Sequence, residues 1–293
     1  MKSERLFVRL DEDGAQGPEG TVPAATLRAL PVRPELRRYV GNVLSYREAF
    51  APGDEVLERV LPDGALRLAF NLGDAPAVGA ASAERMEAIG ASCTPVVVRL
   101  RGEVHGLSLT LRVGAASALL GVPAGELTEV TAPLETLWGA DSANTLERLA
   151  ESGDDGQRAV LLQELLARRL GHVDASACRS ARRAVELIRA ADGRRSVREL
   201  AAEVGVGERR LQQLFHAHVG LSPRALSRLA RLEGCLRALR AWREPRWAEL
   251  AQREGFYDQA HLANEFRALC GMTPSEFLGR SSGSSKTPGS SSG

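Results

Sequence analysis

The sequence predicts an α+β protein: a small β-rich N-terminal domain with a helical connector, followed by an all-α C-terminal domain. Three observations carry this prediction. Short apolar runs of strand type occupy the first part of the chain, the hydrophobic period becomes helical after Gly114, and a later segment is duplicated. We therefore expect a β-rich regulatory domain (1–113), a connector (114–175), a duplicated helical domain (176–280) and a disordered Ser/Gly tail (281–293).

The strands and the connector helices follow from local patterns. Leucines alternate with small or polar residues over His105–Val113, and Val96–Val98 and Leu66–Leu72 have strand composition, which predicts a small antiparallel sheet or barrel. The first 35 residues are rich in Gly and Pro and acidic around Asp11–Asp13, so we expect loops there. Helices are expected over three ranges, which are 115–121, 133–152 and 156–171.

The charge is divided unevenly along the chain. The protein has 293 residues, with 38 Lys+Arg against 37 Asp+Glu, a formal charge of +1. Residues 1–175 carry 18 basic and 25 acidic side chains, a net −7, whereas residues 176–280 carry 19 and 12, a net +7. This asymmetry indicates a polyanionic partner for the C-terminal half.

Several classes of protein are not expected. No apolar run approaches the 18 or so residues of a membrane-spanning helix, and Met1–Arg5 is not followed by the apolar stretch of an export signal. The four cysteines form no CxxC pair, so we expect free thiols and a cytoplasmic location; they are Cys93, Cys178, Cys235 and Cys270.

The duplication in residues 176–280 can be counted residue by residue. Glu199-Leu200-Ala201 recurs fifty residues later as Glu249-Leu250-Ala251, and Gly205 recurs as Gly255. Fifty-one residues separate the remaining pairs, which are Leu211 and Leu262, Phe215 and Phe266, Gly220 and Gly271, and Pro223 and Pro274. A frame of Leu, Gly, Phe and Pro in the same order indicates two copies of one structural unit.

Each copy has the composition of a helix-turn-helix unit. In the first, Ser196 and Glu199 form a capping box, Gly205 suits a helix C-terminus, and a second helix starts near Gly207. In the second, Asp258 caps the second helix, and Thr273 with Glu276 forms another capping box. Both copies end in Gly-x-Ser/Thr-Pro, which places Pro at the first position of the next helix.

A single linker helix from Pro223 to about Trp242 joins the two units, with leucines on its inner face. Its ~19 residues span about 29 Å at 1.5 Å per residue. This is close to the ~34 Å between successive major-groove faces of B-DNA, so one chain can offer a helix to each of two adjacent grooves. A plain helical bundle is the alternative.

The second copy resembles the signature of AraC/XylS-type transcriptional regulators. The resemblance covers about 100 residues and rests on Gly255–Leu262, Glu265–Arg267 and Gly271–Pro274, together with Leu200-Ala201 and Gly220–Pro223 in the first copy. It implies a sequence-specific, double-stranded-DNA-binding transcription factor with two recognition helices, for which RNA polymerase is a possible partner.

The outward faces of the two recognition helices supply the candidate DNA contacts. Arg and Gln suit guanine and adenine edges respectively, and the family places base contacts on these faces. The candidate base readers are Arg209, Gln212, Gln213, Gln259, His261 and Asn264, the last standing where the family commonly has arginine. The candidate phosphate contacts are Arg210, Arg224, Arg228, Arg246 and Tyr257. For each of them a merely solvated side chain is the alternative.

The N-terminal half carries a second resemblance. Arg59–Gly64 and Leu119–Pro123 are similar to an uncharacterised domain attached to a subset of these regulators. In the wider family such domains sense small effectors or dimerise, so we expect control by an unknown small molecule or by a protein partner.

The competing hypothesis is an enzyme or damage sensor in residues 1–113. This half has only His105 and His172 and no HxH pair, so we expect no metal, no other cofactor and no enzyme activity. Cys93 lacks the flanking residues that would suggest an acceptor thiol. Three arginines suit an anionic effector or salt bridges with Glu48, Glu55 or Glu58; they are Arg47, Arg59 and Arg67.

Overall fold

The computed structural model describes residues 4–79, 81–139, 141–171, 174–242 and 245–282, so His172 and residues 283–293 of the expected tail lie outside the described residues. The strands are β1 (Glu4–Phe7), β2 (Leu27–Leu30), β3 (Val40–Ala49), β4 (Val56–Val60), β5 (Leu66–Asn71), β6 (Ala77–Val78), β7 (Ala81–Ser82), β8 (Met86–Ile89), β9 (Val96–Leu100), β10 (Glu103–Leu111) and β11 (Thr131–Pro133). The helices are α1 (Ala115–Leu119), α2 (Leu134–Trp138), α3 (Asp141–Glu151), α4 (Asp155–Arg168), α5 (Ala175–Ala190), α6 (Val197–Glu203), α7 (Glu208–His218), α8 (Pro223–Ala241), α9 (Trp247–Arg253), α10 (Gln259–Cys270) and α11 (Pro274–Ser282). None of these helices is long and apolar enough to span a membrane.

The described strands form two sheets, which confirms the β-rich N-terminal half. One sheet has the order β1-β4-β9-β6-β7 and the other has the order β11-β8-β5-β10-β3-β2. Neighbouring strands are antiparallel except β1 and β4, which pair in parallel. A purely antiparallel arrangement was expected, and the parallel pair arises because β1 joins the sheet at its edge, far along the chain from its partner.

The six-stranded sheet has one face packed on the connector. Leu107 and Leu109 of β10 are fully buried in a core that also contains Leu162 of α4. Trp138 of α2 closes this core and donates its indole N–H to the Leu119 carbonyl at 3.1 Å. The expected single helix over 133–152 is wrong, because Gly139 adopts a φ of +67° and ends α2.

The loop prediction for the first 35 residues is wrong at both ends. Residues 4–7 and 27–30 are strands, and the alternation of Leu6, Val8 and Leu10 continues beyond β1. These three side chains are at most 3% exposed and lie in the hydrophobic core of the C-terminal domain. The glycines, prolines and acidic residues around this short apolar pattern conceal it in the sequence.

The C-terminal domain has the predicted all-α architecture. Its core combines Leu200, Leu211 and Phe215 of the first copy with Leu262 and Phe266 of the second, each at most 1% exposed. The linker helix α8 runs from Pro223 to Ala241 and passes between the two units, as expected.

Ion pairs join the leading segment (residues 4–19) to the C-terminal domain. Arg240 of α8 donates to Glu19 at 2.6 Å and to Asp13 at 2.9 Å. Arg189 of α5 pairs with Asp11, and Arg280 of α11 pairs with Glu4 at 2.6 Å. The acidic cluster therefore neutralises arginines of the basic half.

We expect Arg240→Ala to lower the free energy of unfolding by about 3–5 kcal/mol. The side chains of Asp13 and Glu19 are only 8% and 9% exposed, so both carboxylates would remain buried without their cation. Urea denaturation measures the change. Arg246→Ala is the matched control, because that side chain is 80% exposed and its pair with Glu249 should contribute at most about 1 kcal/mol. Equal stability of the two variants would contradict the buried ion-pair cluster.

Candidate nucleic-acid interface and interior cavity

The first helix-turn-helix unit is built by the predicted capping residues. The Ser196 hydroxyl accepts from the Glu199 N–H at 3.2 Å, and the Glu199 carboxylate accepts from the Ser196 N–H at 2.8 Å. Gly205 adopts a φ of +70° in the turn, and Gly207 caps α7. These local bonds set α7 against α6 with its apolar face inward.

The opposite face of α7 is open to solvent. Arg209, Gln212 and Gln213 are all exposed, as is Arg210, whose guanidinium lies 3.4 Å from the Gln213 side-chain oxygen. Arginine and glutamine side chains on one exposed helix face are the residue types that hydrogen-bond to base edges in a major groove.

The second unit presents α10 in the same way. The Asp258 carboxylate accepts from the His261 N–H at 2.7 Å and caps the helix. The His261 ring lies edge-on against Phe256, with 5.5 Å between ring centroids. Gln259, His261 and Asn264 are exposed, and the Asn264 side-chain oxygen accepts from Arg267 at 3.3 Å.

The expected phosphate contacts differ in their surroundings. Arg224 is exposed, Arg246 is 80% exposed, and Tyr257 is 92% exposed beside the start of α10. Arg228 is the exception, because its guanidinium binds Glu265 at 2.7 and 3.2 Å. This pair joins α10 to α8, so Arg228 helps to position α10.

Residues 200–280 match the sequence model of a family described as a helix-turn-helix domain. This segment begins within α6 and contains α7, the linker helix, the second unit and both exposed polar faces. It is an AraC-type helix-turn-helix domain. The resemblance noted in the sequence is thereby confirmed for the C-terminal part of the chain.

Outside the AraC-type domain, residues 28–133 match the model of a domain of unknown function (DUF6597). The sequence matches no curated protein with which it was compared.

Solved structures give a more distant likeness. A crystal structure of ToxT from Vibrio cholerae is 12% identical over 81% of this chain and 97% of its own, with a TM-score of 0.42. ToxT from the same organism with a bound unsaturated fatty acid is 14% identical over 80% and 94%, with a TM-score of 0.40. At these values the likeness supports no functional assignment.

The N-terminal half encloses a cavity of about 700 Å³ between its two sheets. On the six-stranded sheet the side chains facing it are mixed, with the small or polar Ala69, Ser108 and Thr110 beside the apolar Leu44 and Val104. On the other sheet the facing side chains include Val60 and Val98. The predicted alternation of apolar and polar side chains in β10 was correct, and the polar face of this strand lines the cavity. Small side chains such as Ala69 and Ser108 leave part of the space between the two layers unfilled.

Several polar groups in the cavity wall are buried. The Tyr46 hydroxyl donates to the side-chain oxygen of Asn71 at 2.5 Å, and burial raises the pKa of Tyr46. Asn71 is 2% exposed and donates to the Glu84 carbonyl at 2.6 Å. Burial also raises the pKa of Glu87, which is 6% exposed. These buried polar groups therefore interrupt a cavity wall that is otherwise largely apolar.

The three arginines proposed for an anionic effector form ion pairs with unexpected partners. Arg47 lies 3.3 Å from Glu103, Arg59 lies 2.6 Å from Glu4, and Arg67 pairs with Asp63. Glu48 and Glu58 instead bind Arg5. Cross-strand neighbours, which the linear sequence does not show, decide the pairs of Arg47 and Arg59, whereas Arg67 pairs with a residue only four positions earlier in the chain.

His218 lies where the AraC-type domain meets the connector. It ends α7 and is 9% exposed, and its carbonyl accepts from the Gly114 N–H at 2.9 Å. Its Nδ1 is buried and has no hydrogen-bond partner among the described residues. Burial therefore lowers the pKa of His218, an effect that nearby Asp174 partly opposes.

We expect His218 to make the fold less stable in acid. Because its pKa is lower folded than unfolded, the folded protein binds fewer protons, and stability falls as the pH drops below about 6.5. Urea midpoints at about pH 7.5 and pH 5.5 test this: His218→Gln should lose less stability on acidification than the natural protein. The exposed His216→Gln is the control and should behave like the natural protein. An equal loss in all three proteins would contradict the assignment.

Proposed function

We propose that the protein is a sequence-specific DNA-binding transcriptional regulator that reads two adjacent major-groove segments with α7 and α10. The single observation that carries the proposal is an AraC-type domain with two capped helices whose polar faces are both exposed. The proposed base readers remain Arg209, Gln212, Gln213, Gln259, His261 and Asn264. Double-stranded DNA in the cytoplasm is then the main proposed partner, and RNA polymerase is a further proposed partner.

The linker supports the use of both helices by one chain. The 19 residues of α8 span about 29 Å, close to one turn of B-DNA. Arg228 and Glu265 hold α10 against this helix, so the separation of the two recognition helices is a fixed property of the domain. Fixed spacing favours two half-sites about one helical turn apart.

The DNA contacts are separable by mutation. Arg209→Ala should weaken binding by about 1–3 kcal/mol at one base position and relax specificity there. Arg246→Ala, at a proposed phosphate contact, should weaken specific and random duplexes equally and reduce the dependence on salt. Fluorescence anisotropy with a selected duplex and a scrambled duplex distinguishes the two. Equal losses on both duplexes for Arg209→Ala would exclude it as a base reader.

We further propose that the interior cavity holds an effector that acts on the AraC-type domain through the leading segment. The alternation along this segment gives it two faces. Leu6, Val8 and Leu10 pack into the core of the AraC-type domain, whereas Arg5, Phe7 and Arg9 line the cavity. A ligand that contacts the cavity-lining side chains of this segment therefore changes how its leucines and valine pack against the AraC-type domain.

A small-molecule effector and a protein partner predict different thermal behaviour. A ligand present at 100 times its Kd adds about 2.7 kcal/mol to the free energy of unfolding and raises Tm. Thermal-shift screening of broad metabolite sets should therefore find a stabilising compound. The absence of any shift would favour control by a protein partner.

The enzyme or damage-sensor alternative has little support in the described residues. Among them, no group of three His, Cys, Asp or Glu side chains is placed to hold a metal. Cys93 is half-buried, and burial raises the pKa of its thiol, which disfavours the reactive thiolate. Rapid covalent labelling of Cys93 by an alkylating agent, read by intact mass, would revive this alternative.

A further inference from the structure

We propose that the cavity binds an organic anion whose acid group is held at Arg9 and Arg67 and whose apolar body lies against the valine-lined sheet. The inference rests on the proposed effector role of the cavity and names the class of its ligand. Its basis is an imbalance of charge within the cavity wall.

Arg9 faces the cavity from the residues that continue β1. In the amide orientation that satisfies both ends of Asn42, the Asn42 side-chain oxygen accepts from Arg9 at 2.9 and 3.2 Å. The Arg9 Nε is buried, and among the described residues it has no hydrogen-bond partner and its guanidinium forms no ion pair. A buried guanidinium with a free N–H is the group that an incoming carboxylate or sulfonate satisfies.

Arg67 adds a second guanidinium to the same corner. It lines the cavity from β5 and pairs with Asp63, which also lines the cavity. Burial lowers the pKa of Arg9 and the neighbouring Arg67 lowers it further, so the two cations are close enough to repel. Asp63 and Asp13 both attract Arg9 electrostatically, but among the described residues Asp63 is paired with Arg67 and Asp13 with Arg240. Arg9 is therefore the guanidinium that a bound anion would supply with a direct partner.

The other arginines of the cavity wall are already neutralised. Arg5 binds Glu48 at 2.7 Å and Glu58 at 2.9 Å, so two carboxylates surround one cation. Arg47 pairs with Glu103. An acid group is repelled at the Arg5 site, and the Arg9–Arg67 corner is the favourable place for it.

The remainder of the wall fits an apolar body. Phe7, Val60, Val96, Val98 and Leu100 line the cavity from the five-stranded sheet. Ser108 and Thr110 lie on the opposite sheet, and Thr110 is directly paired with Arg67 in the β5–β10 ladder, so hydroxyl groups stand beside the cationic corner. A wall with one charged corner and one apolar side orients an amphiphilic anion in a single direction.

Two fluorescent probes with the same aromatic body test the proposal on the full chain. 1-Anilinonaphthalene-8-sulfonate carries an anion, and N-phenyl-1-naphthylamine does not. The sulfonate should bind at least about tenfold more tightly, the ratio equivalent to one charge-assisted contact of about 1.4 kcal/mol. Arg9→Gln should abolish that preference and leave the Kd of the neutral probe within about twofold, while Arg9→Lys should retain part of it.

Two further variants locate the effect. Arg47→Gln removes an arginine that already has a carboxylate partner and should leave both affinities unchanged. Ser108→Leu narrows the cavity and should weaken both probes. Retained affinity for the neutral probe shows that Arg9→Gln and Arg47→Gln are folded, and an unchanged far-ultraviolet circular dichroism spectrum shows it for Ser108→Leu.

The outcomes separate this inference from the proposed effector role. The anion site is overturned if both probes bind the natural protein with equal affinity, or if Arg9→Gln weakens the binding of both probes equally. In either case the proposed effector role of the cavity remains. Binding of both probes that Ser108→Leu does not change places them outside the cavity and overturns the site. Failure of both probes to bind the natural protein overturns both the anion site and the cavity as a ligand site. DNA binding, measured separately, tests the AraC-type domain.

Discussion

The rest of the structure depends on the packing of the leading segment, whose two faces contact different parts of the molecule. Its even-numbered apolar side chains complete the core of the helical domain, and its odd-numbered side chains form one wall of the interior cavity. A strand has a period of two, so one short element serves both surfaces without any intervening loop. The leading segment consequently packs the N-terminal and C-terminal parts against each other. We expect a change in packing on one of its faces to alter the packing on the other.

Electrostatics reinforces this packing. The net charges of −7 and +7 in the two parts of the sequence suggest separate surfaces, one kept away from DNA and one directed to it. In the fold, acidic residues of the leading segment bind Arg189, Arg240 and Arg280, so part of the positive charge is used within the molecule. The positive charge left for phosphates is smaller than the count implies, so the affinity that we propose for DNA would depend more on the proposed base contacts of α7 and α10.

The cavity has an equally simple origin. In most sandwiches the two facing layers interdigitate and fill the interior. Here one layer carries the small or short Ala69, Ser108 and Thr110 at positions that line a cavity, and buried polar groups also line this space. Such a cavity lowers the stability of an empty domain, and a ligand that fills it restores the missing contacts.

The sequence by itself determined the helical half. Capping residues, glycines at positive φ and leucines at helical spacing act within a few residues of one another, so the units, the linker α8 and the exposed faces of α7 and α10 were all predicted. The division of the chain at residues 113 and 175 stays a prediction, as do the individual DNA contacts. Only the tertiary structure decided the cavity, the ion-pair partners of Arg47 and Arg59, and the role of the leading segment. Those features depend on which strands become neighbours, and residues such as Arg9 and Arg67 meet only when strands far apart in the chain pair or face each other.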